Sequence, residues 1–182
     1  MMYTLNLKKF DKNCKIALFG THADNLYHLL GDYTSLRKEG EGLTIKEAMQ
    51  REVSCVTYSK GWDFFGDFDD FENALNIAKQ SDIIVVTLGG TTAKGLSEVR
   101  YDKNTGAAIS TKGFVDCGEG KDIADIKLPG NQNEFLEYIK KAGKPIFAVQ
   151  IAGRPYEITR AEELCDAFIT AWYPGQQGAQ AI

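Results

Sequence analysis

The segment Asp116-Cys117-Gly118-Glu119-Gly120-Lys121-Asp122 is where this chain of 182 residues gathers most of its chemistry. One carboxylate, Glu119, stands between two glycines. Glycines permit backbone conformations that push a neighbouring side chain outward, as a proton-transferring group in need of access requires. On composition alone a solvated turn explains the same residues and is the plainer reading. Cys117 has the type of a thiol nucleophile, but no histidine neighbours it in sequence, and a buried thiol fits better. His22 and His28 are the two histidines. Six residues apart, they do not share a helical face as the i, i+4 ligands of a helical metal site do. Cys14, Cys55, Cys117 and Cys165 are scattered, with no C-x-x-C pair. They read as reduced structural thiols, with Cys55 buried in an apolar strand pattern, and no metal site or cofactor is expected.

Gly20, Gly89-Gly90 and Gly153 each close an apolar run, where a strand would hand over to a loop. In an open parallel sheet such loops are the natural place for a ligand, and the helix starting near Ala23 could receive an anion. None has the G-x-G-x-x-G or G-x-x-x-x-G-K spacing of a nucleotide loop, so tight turns explain these glycines better.

The elements that must position these loops follow from hydrophobic period and punctuation. Lys15–Gly20, residues 53–57, 83–88, 145–151 and 167–172 read as five strands. Between them lie helical patterns: Ala23 to Leu30 with Leu26, Leu29 and Leu30 on one face and Gly31 as its cap; a capping box at Thr44-Ile45-Lys46-Glu47; Asp69-Asp70 before Phe71, Leu75 and Ala78; Pro129 opening a helix with the stripe Phe135, Leu136, Ile139; and a second capping box at Thr159-Arg160-Ala161-Glu162. Thr91 to Asp125 has no sustained period and is far longer than an ordinary connection, the mark of a functional loop. Strands alternating with helices imply a three-layer α/β/α sandwich around a mostly parallel sheet of five to six strands, in one domain spanning residues 1–182. The chain stops at Gln180-Ala181-Ile182 as a helical pattern begins, which reads as a truncated end.

Composition excludes several classes. With 43% hydrophobic and 25% charged residues the chain is that of a folded globular protein. A net charge of -4 without basic runs argues against nucleic acid as a partner. No apolar stretch reaches the ~20 residues of a membrane span, and Met1 to Phe10 lacks a signal-peptide core, so neither a membrane nor export is expected and the location reads as cytoplasmic.

KIALFGTHADN, GDYTS, YSKGWDF, VTLGG, CGEGKDIADIKLPGNQNEFLEYI, GKPIFAVQIAGRP and AWYPGQQGAQAI follow one another in that order. The succession resembles the C-terminal α/β sandwich domain of family 3 glycoside hydrolases, bacterial β-glucosidases above all, from about Lys15 to Ile182. The resemblance implies a retaining, exo-acting glycosidase acting on a β-linked glucoside or related oligosaccharide. In such enzymes an N-terminal (β/α)8 barrel carries an Asp nucleophile and most sugar contacts, and a Glu of the sandwich domain serves as acid/base. The residue matching that Glu is Glu119. Glu98, in a stretch with Thr105 to Ala108 that resembles an insertion of a bacterial subset, is a weaker second candidate. A barrel needs about 250 residues more, so this chain would supply the sandwich alone and be inactive by itself. One departure stands out: where the family commonly has Arg after the Asp of E-G-x-D, this chain has Ile123. The rival reading is a non-catalytic module binding a sugar or nucleotide through the same loops, which predicts a pocket at the Gly20 loop. The catalytic reading predicts exposed apolar surface where a barrel docks, and an incomplete sheet could also form a homodimer.

Overall fold

The structure is a computed structural model and describes residues 13–31, 34, 40–66, 70–92, 100–101, 108–109, 115–118 and 120–182. Five parallel strands form the main sheet: β1 (Ile16–Phe19), β2 (Val56–Ser59), β3 (Ile83–Gly89), β6 (Ile146–Ile151) and β7 (Ala167–Thr170), in the order β2-β1-β3-β6-β7. Two residues each of β4 (Arg100–Tyr101) and β5 (Ala108–Ile109) pair antiparallel within the long connection between β3 and β6. The α-helices are α1 (Ile45–Glu52), α2 (Phe71–Lys79), α3 (Gln132–Ile139), α4 (Thr159–Leu164) and α5 (Gly178–Ala181).

Both faces of the sheet are buried, which is why its strands read as unbroken apolar runs. Ala17, Phe19, Ile84, Val86, Leu88, Ile146 and Ala148 join Ala74 and Ala78 of α2, the Phe135, Leu136, Ile139 stripe of α3 and Ala161 of α4. Leu18, Val149 and Ile151 face the other way onto Ile45 and Ala48 of α1 and Ala179 of α5. The result is the expected three-layer sandwich, with five strands in its main sheet.

Local differences have local causes. The helix expected over Ala23–Leu30 is instead two 3-10 turns, Thr21–Asp24 and Leu26–Leu29. Asn25 breaks it: its backbone is extended (φ -137°), and its side chain accepts from the Tyr27 amide at 3.0 Å, which offers the chain a turn in place of a helix. The expected start at Pro129 moves to Gln132, because Gly130 turns with φ 69° over the Asp63 carbonyl. The expected burial of Cys55 is wrong. Cys55 is exposed because the strand begins only at Val56 and lies at the sheet edge, where cover is partial. All four cysteines are free thiols.

Candidate functional site

The order β2-β1-β3-β6-β7 reverses direction between β1 and β3, and the carboxyl ends of strands beside such a reversal are where open α/β sheets hold ligands. Here that crevice is filled. Odd residues of β3 bond toward β1, but β1 ends at Phe19 while β3 runs on to Gly89. Side chains take over the vacant ladder: Trp62 Nε1 donates to the Thr87 carbonyl at 3.0 Å, and the Gln132 amide both accepts from Gly89 N and donates to Gly89 O, each at 2.8 Å. Trp62 and Gln132 are fully buried. The W of G-W-D-F and the Q of L-P-G-N-Q are therefore the two residues that finish the sheet under the loops. Gly20 packs against this end as well, since a Cβ there would collide with the Thr87 side chain and carbonyl.

Glu119 and Glu98, the two acid/base candidates, both fall outside the described residues, so what can be followed is how the chain on either side of Glu119 is held. Before it, the Asp116 carboxylate is buried and takes two donors, the Thr91 amide at 2.8 Å and the Tyr156 hydroxyl, while Asp116 N donates back to Thr91 O at 3.2 Å. Cys117 is 2% exposed, with its Sγ 2.8 Å from the Tyr173 hydroxyl. Gly118 and Gly120 have φ 119° and 65°, backbone that side chains resist. Beyond it, Lys121 N donates to Gly118 O at 3.2 Å, and Arg154 donates through Nη2 to Lys121 O at 2.9 Å with Nη1 3.8 Å from Asp122. A guanidinium thus reaches this segment from the end of β6, while Ile123 packs against the core. Glu157 N to Ile126 O at 2.8 Å ties down the exit.

The protonation of this site is one-sided. Burial, then the hydrogen bond to Asp116 and its charge, push the Tyr156 phenol up, so it remains a donor. Burial also raises Tyr173 and, against the Tyr173 hydrogen bond, the Cys117 thiol. The thiol is buried, as its sequence context suggests, and is no activated nucleophile. Asp116 was visible in sequence only as part of the Glu119 segment. Nothing in the sequence ties it to Tyr156, 40 residues on, since the pairing depends on which strand ends lie side by side.

The histidines, which sequence spacing separates, are brought together by the paired 3-10 turns, with ring centroids 4.9 Å apart. His22 also meets Trp62 and Phe64 edge-on at 5.7 and 5.4 Å. It is fully buried, and among the described residues neither ring nitrogen has a partner in good hydrogen-bond geometry. Burial, and then His28, lower its pKa well below the ordinary value, offset in part by the nearby Gly89 backbone. Among the described residues no group of His, Cys, Asp or Glu could hold a metal ion, and no helix is long and apolar enough to cross a membrane.

The sequence matches the profile of the glycosyl hydrolase family 3 C-terminal domain over residues 4–182. A β-xylosidase of Formosa agariphila is 29% identical over 160 residues, covering 86% of this chain and 19% of the relative. A periplasmic β-glucosidase of Salmonella typhimurium is 24% identical, covering 98% of this chain and 23% of the relative. Among solved structures, the β-glucosidase of Listeria innocua in complex with isofagomine superposes with a TM-score of 0.73 at 21% identity, over 96% of this chain and 21% of that one. The GH3 exo-β-xylosidase XlnD in complex with a xylobiose aziridine activity-based probe gives a TM-score of 0.73 at 25% identity, over 97% of this chain and 20% of that one. The chain spans about a fifth of the length of these relatives.

Proposed function

Because the chain belongs to the C-terminal domain of glycosyl hydrolase family 3, we propose that it is the sandwich domain of a retaining, exo-acting β-glycosidase and supplies Glu119 as the acid/base carboxyl. The substrate is a β-linked glucoside or xyloside, the two sugar classes named among the relatives. A (β/α)8 barrel supplies the Asp nucleophile and holds the sugar. In such a pair the carboxyl groups stand about 5 to 5.5 Å apart, and the acid that protonates the leaving oxygen becomes the base that activates water against the glycosyl-enzyme.

The observation that carries this reading is the setting of the segment around Glu119. A general acid must project into a shared site yet keep a fixed position. Glycines of positive φ flank Glu119 on both sides, the backbone such a projection calls for. The neighbouring chain is anchored, by buried Asp116 and Cys117 before Glu119 and by the half-buried Arg154 on Lys121 O after it. A solvated turn has no use for a buried carboxylate three residues before Glu119. The rival reading as a ligand-binding module would seat its ligand by Gly20, where Trp62 and Gln132 already bond the exposed end of β3.

The test joins this domain to its barrel and replaces Glu119 by Gln. Loss of general acid/base assistance costs roughly 100- to 10,000-fold on substrates with poor leaving groups. Substrates with good leaving groups should stall at the glycosyl-enzyme and be rescued by azide. Unchanged turnover of an unactivated glycoside in Glu119→Gln, with loss in Glu98→Gln, would move the role to Glu98. The domain without a barrel should show no turnover approaching the order of 1 per second found in intact enzymes.

A further inference from the structure

We propose that Tyr156 and Tyr173 are positioning residues, two clamps that seize Asp116 and Cys117 and thereby hold the segment entering Glu119 against the carboxyl ends of β3, β6 and β7. The inference rests on the assignment of Glu119 above and extends it to residues that touch no substrate.

Each clamp sits in a notch cut by a glycine. A Cβ on Gly90, just past β3, would collide with the Tyr156 hydroxyl and with both carboxylate oxygens of Asp116. A Cβ on Gly153, two residues past β6, would lie 2.6 Å from the Tyr173 ring, 2.7 Å from its hydroxyl and 2.9 Å from Cys117 Sγ. The two central strands thus end in bare backbone, and in each opening a tyrosine from a following connection meets one residue of the segment. The four groups come from chain stretches far apart: Tyr156 lies 40 residues from Asp116 and Tyr173 lies 56 from Cys117. Consecutive residues are gripped from two sides, so the chain direction is fixed as well as its height above the sheet. A loop that needed only burial would require neither a carboxylate with two donors nor a second hydroxyl three ångströms from a thiol.

The experiment uses Tyr156→Phe and Tyr173→Phe, which keep the rings and remove the hydroxyls. In this chain, peptide-resolved thiol labelling should show Cys117 reacting at least about tenfold faster in each variant, because a lost buried bond of ordinary strength shifts a local opening by that much. Trypsin should likewise cut faster after Lys121. In the enzyme joined to its barrel, kcat on poor leaving groups should fall about tenfold with KM within about twofold, since positioning of the acid matters in the transition state and not for sugar binding. Asp116→Asn can still accept from Thr91 and pair with the phenol, and should stay within about threefold of the parent, whereas Asp116→Leu should reproduce the loss. Cys117 labelling and Lys121 cleavage at parental rates in folded Tyr156→Phe and Tyr173→Phe would overturn the clamps. Faster labelling with kcat unchanged would overturn their positioning role. Glu119→Gln without effect would instead fell the acid/base assignment, while the labelling result still decides the clamps.

Discussion

His22 and His28 show at the residue scale what burial does to a titrating group without a counter-charge. Asn25 is oriented by the Tyr27 amide on its oxygen, so its nitrogen faces His28 Nε2 at 3.2 Å, which requires an unprotonated ring atom there. Burial lowers His28 from 6.5 to about 4, and burial together with the neighbouring His28 holds His22 well below its ordinary value. The sign follows from linkage. Below pH 6.5 the unfolded chain takes up protons that the folded chain refuses until about pH 4, so the stabilising contribution is whole above 6.5 and drains away as pH falls through that window. Each withheld proton costs about 1.4 kcal/mol per pH unit. Urea unfolding at pH 7, 6 and 5 should therefore show a steep loss of stability, and His28→Gln should flatten the slope by about one proton. Equal slopes in parent and variant would show that other groups govern the acid limb.

Two capping boxes stand in the sequence, and at the scale of elements only one of them forms. Thr44 accepts from Glu47 N at 3.1 Å and Glu47 returns to Thr44 N at 2.8 Å, closing the box at the head of α1. At α4 the helix already includes Thr159, whose amide is taken by Glu157 at 2.8 Å, and the position before it is Ile158 with no side-chain cap. Thr44→Ala should cost about 1 kcal/mol and lower Tm by roughly 2–4 °C, while Thr159→Ala should change little. Similar losses at both sites would mean that Thr159 caps in solution. The contrast marks what the sequence makes legible. Strands β1, β3 and β6 and the α3 stripe could be read because apolar period reports burial directly. The cap at Thr159, the broken helix at Asn25 and the exposed Cys55 could not, because each depends on a neighbouring side chain or on which strand lies at the edge. The candidate site divides the same way. Glu119 stands out by its flanking glycines and its likeness to a family, whereas the Tyr156 and Tyr173 clamps exist only once β3, β6 and β7 are laid side by side.

Across the whole molecule, the carboxyl-end face carries two exposed aromatics on opposite flanks. Phe65, in the connection after β2, is 57% exposed, and Trp172, just past β7, is 51% exposed. β2 and β7 are the two edges of the sheet, four strand spacings or about 19 Å apart. Trp172 is the one non-glycine residue with positive φ among those described, at 55°. Its carbonyl is bonded by Ala152 N at 3.4 Å and its neighbour Tyr173 is held on Cys117, so the chain turns through a costly conformation and leaves the indole outside. An apolar ring held outward at that expense is what a face covered by another domain requires, and the proposed barrel must meet this same face to share a site with Glu119. The chain's two tryptophans make the idea measurable, because Trp62 is fully buried with its indole nitrogen on Thr87 O. In the isolated domain, acrylamide should quench one emitting population readily and leave a blue-shifted one untouched, and Trp172→Phe should remove the quenchable population alone. Adding the barrel should shield that population and shift its emission to the blue. If Trp172 stayed as quenchable in a complex shown by sedimentation to have formed, the barrel would be docking elsewhere, and Glu119 would stand on a face that no partner completes.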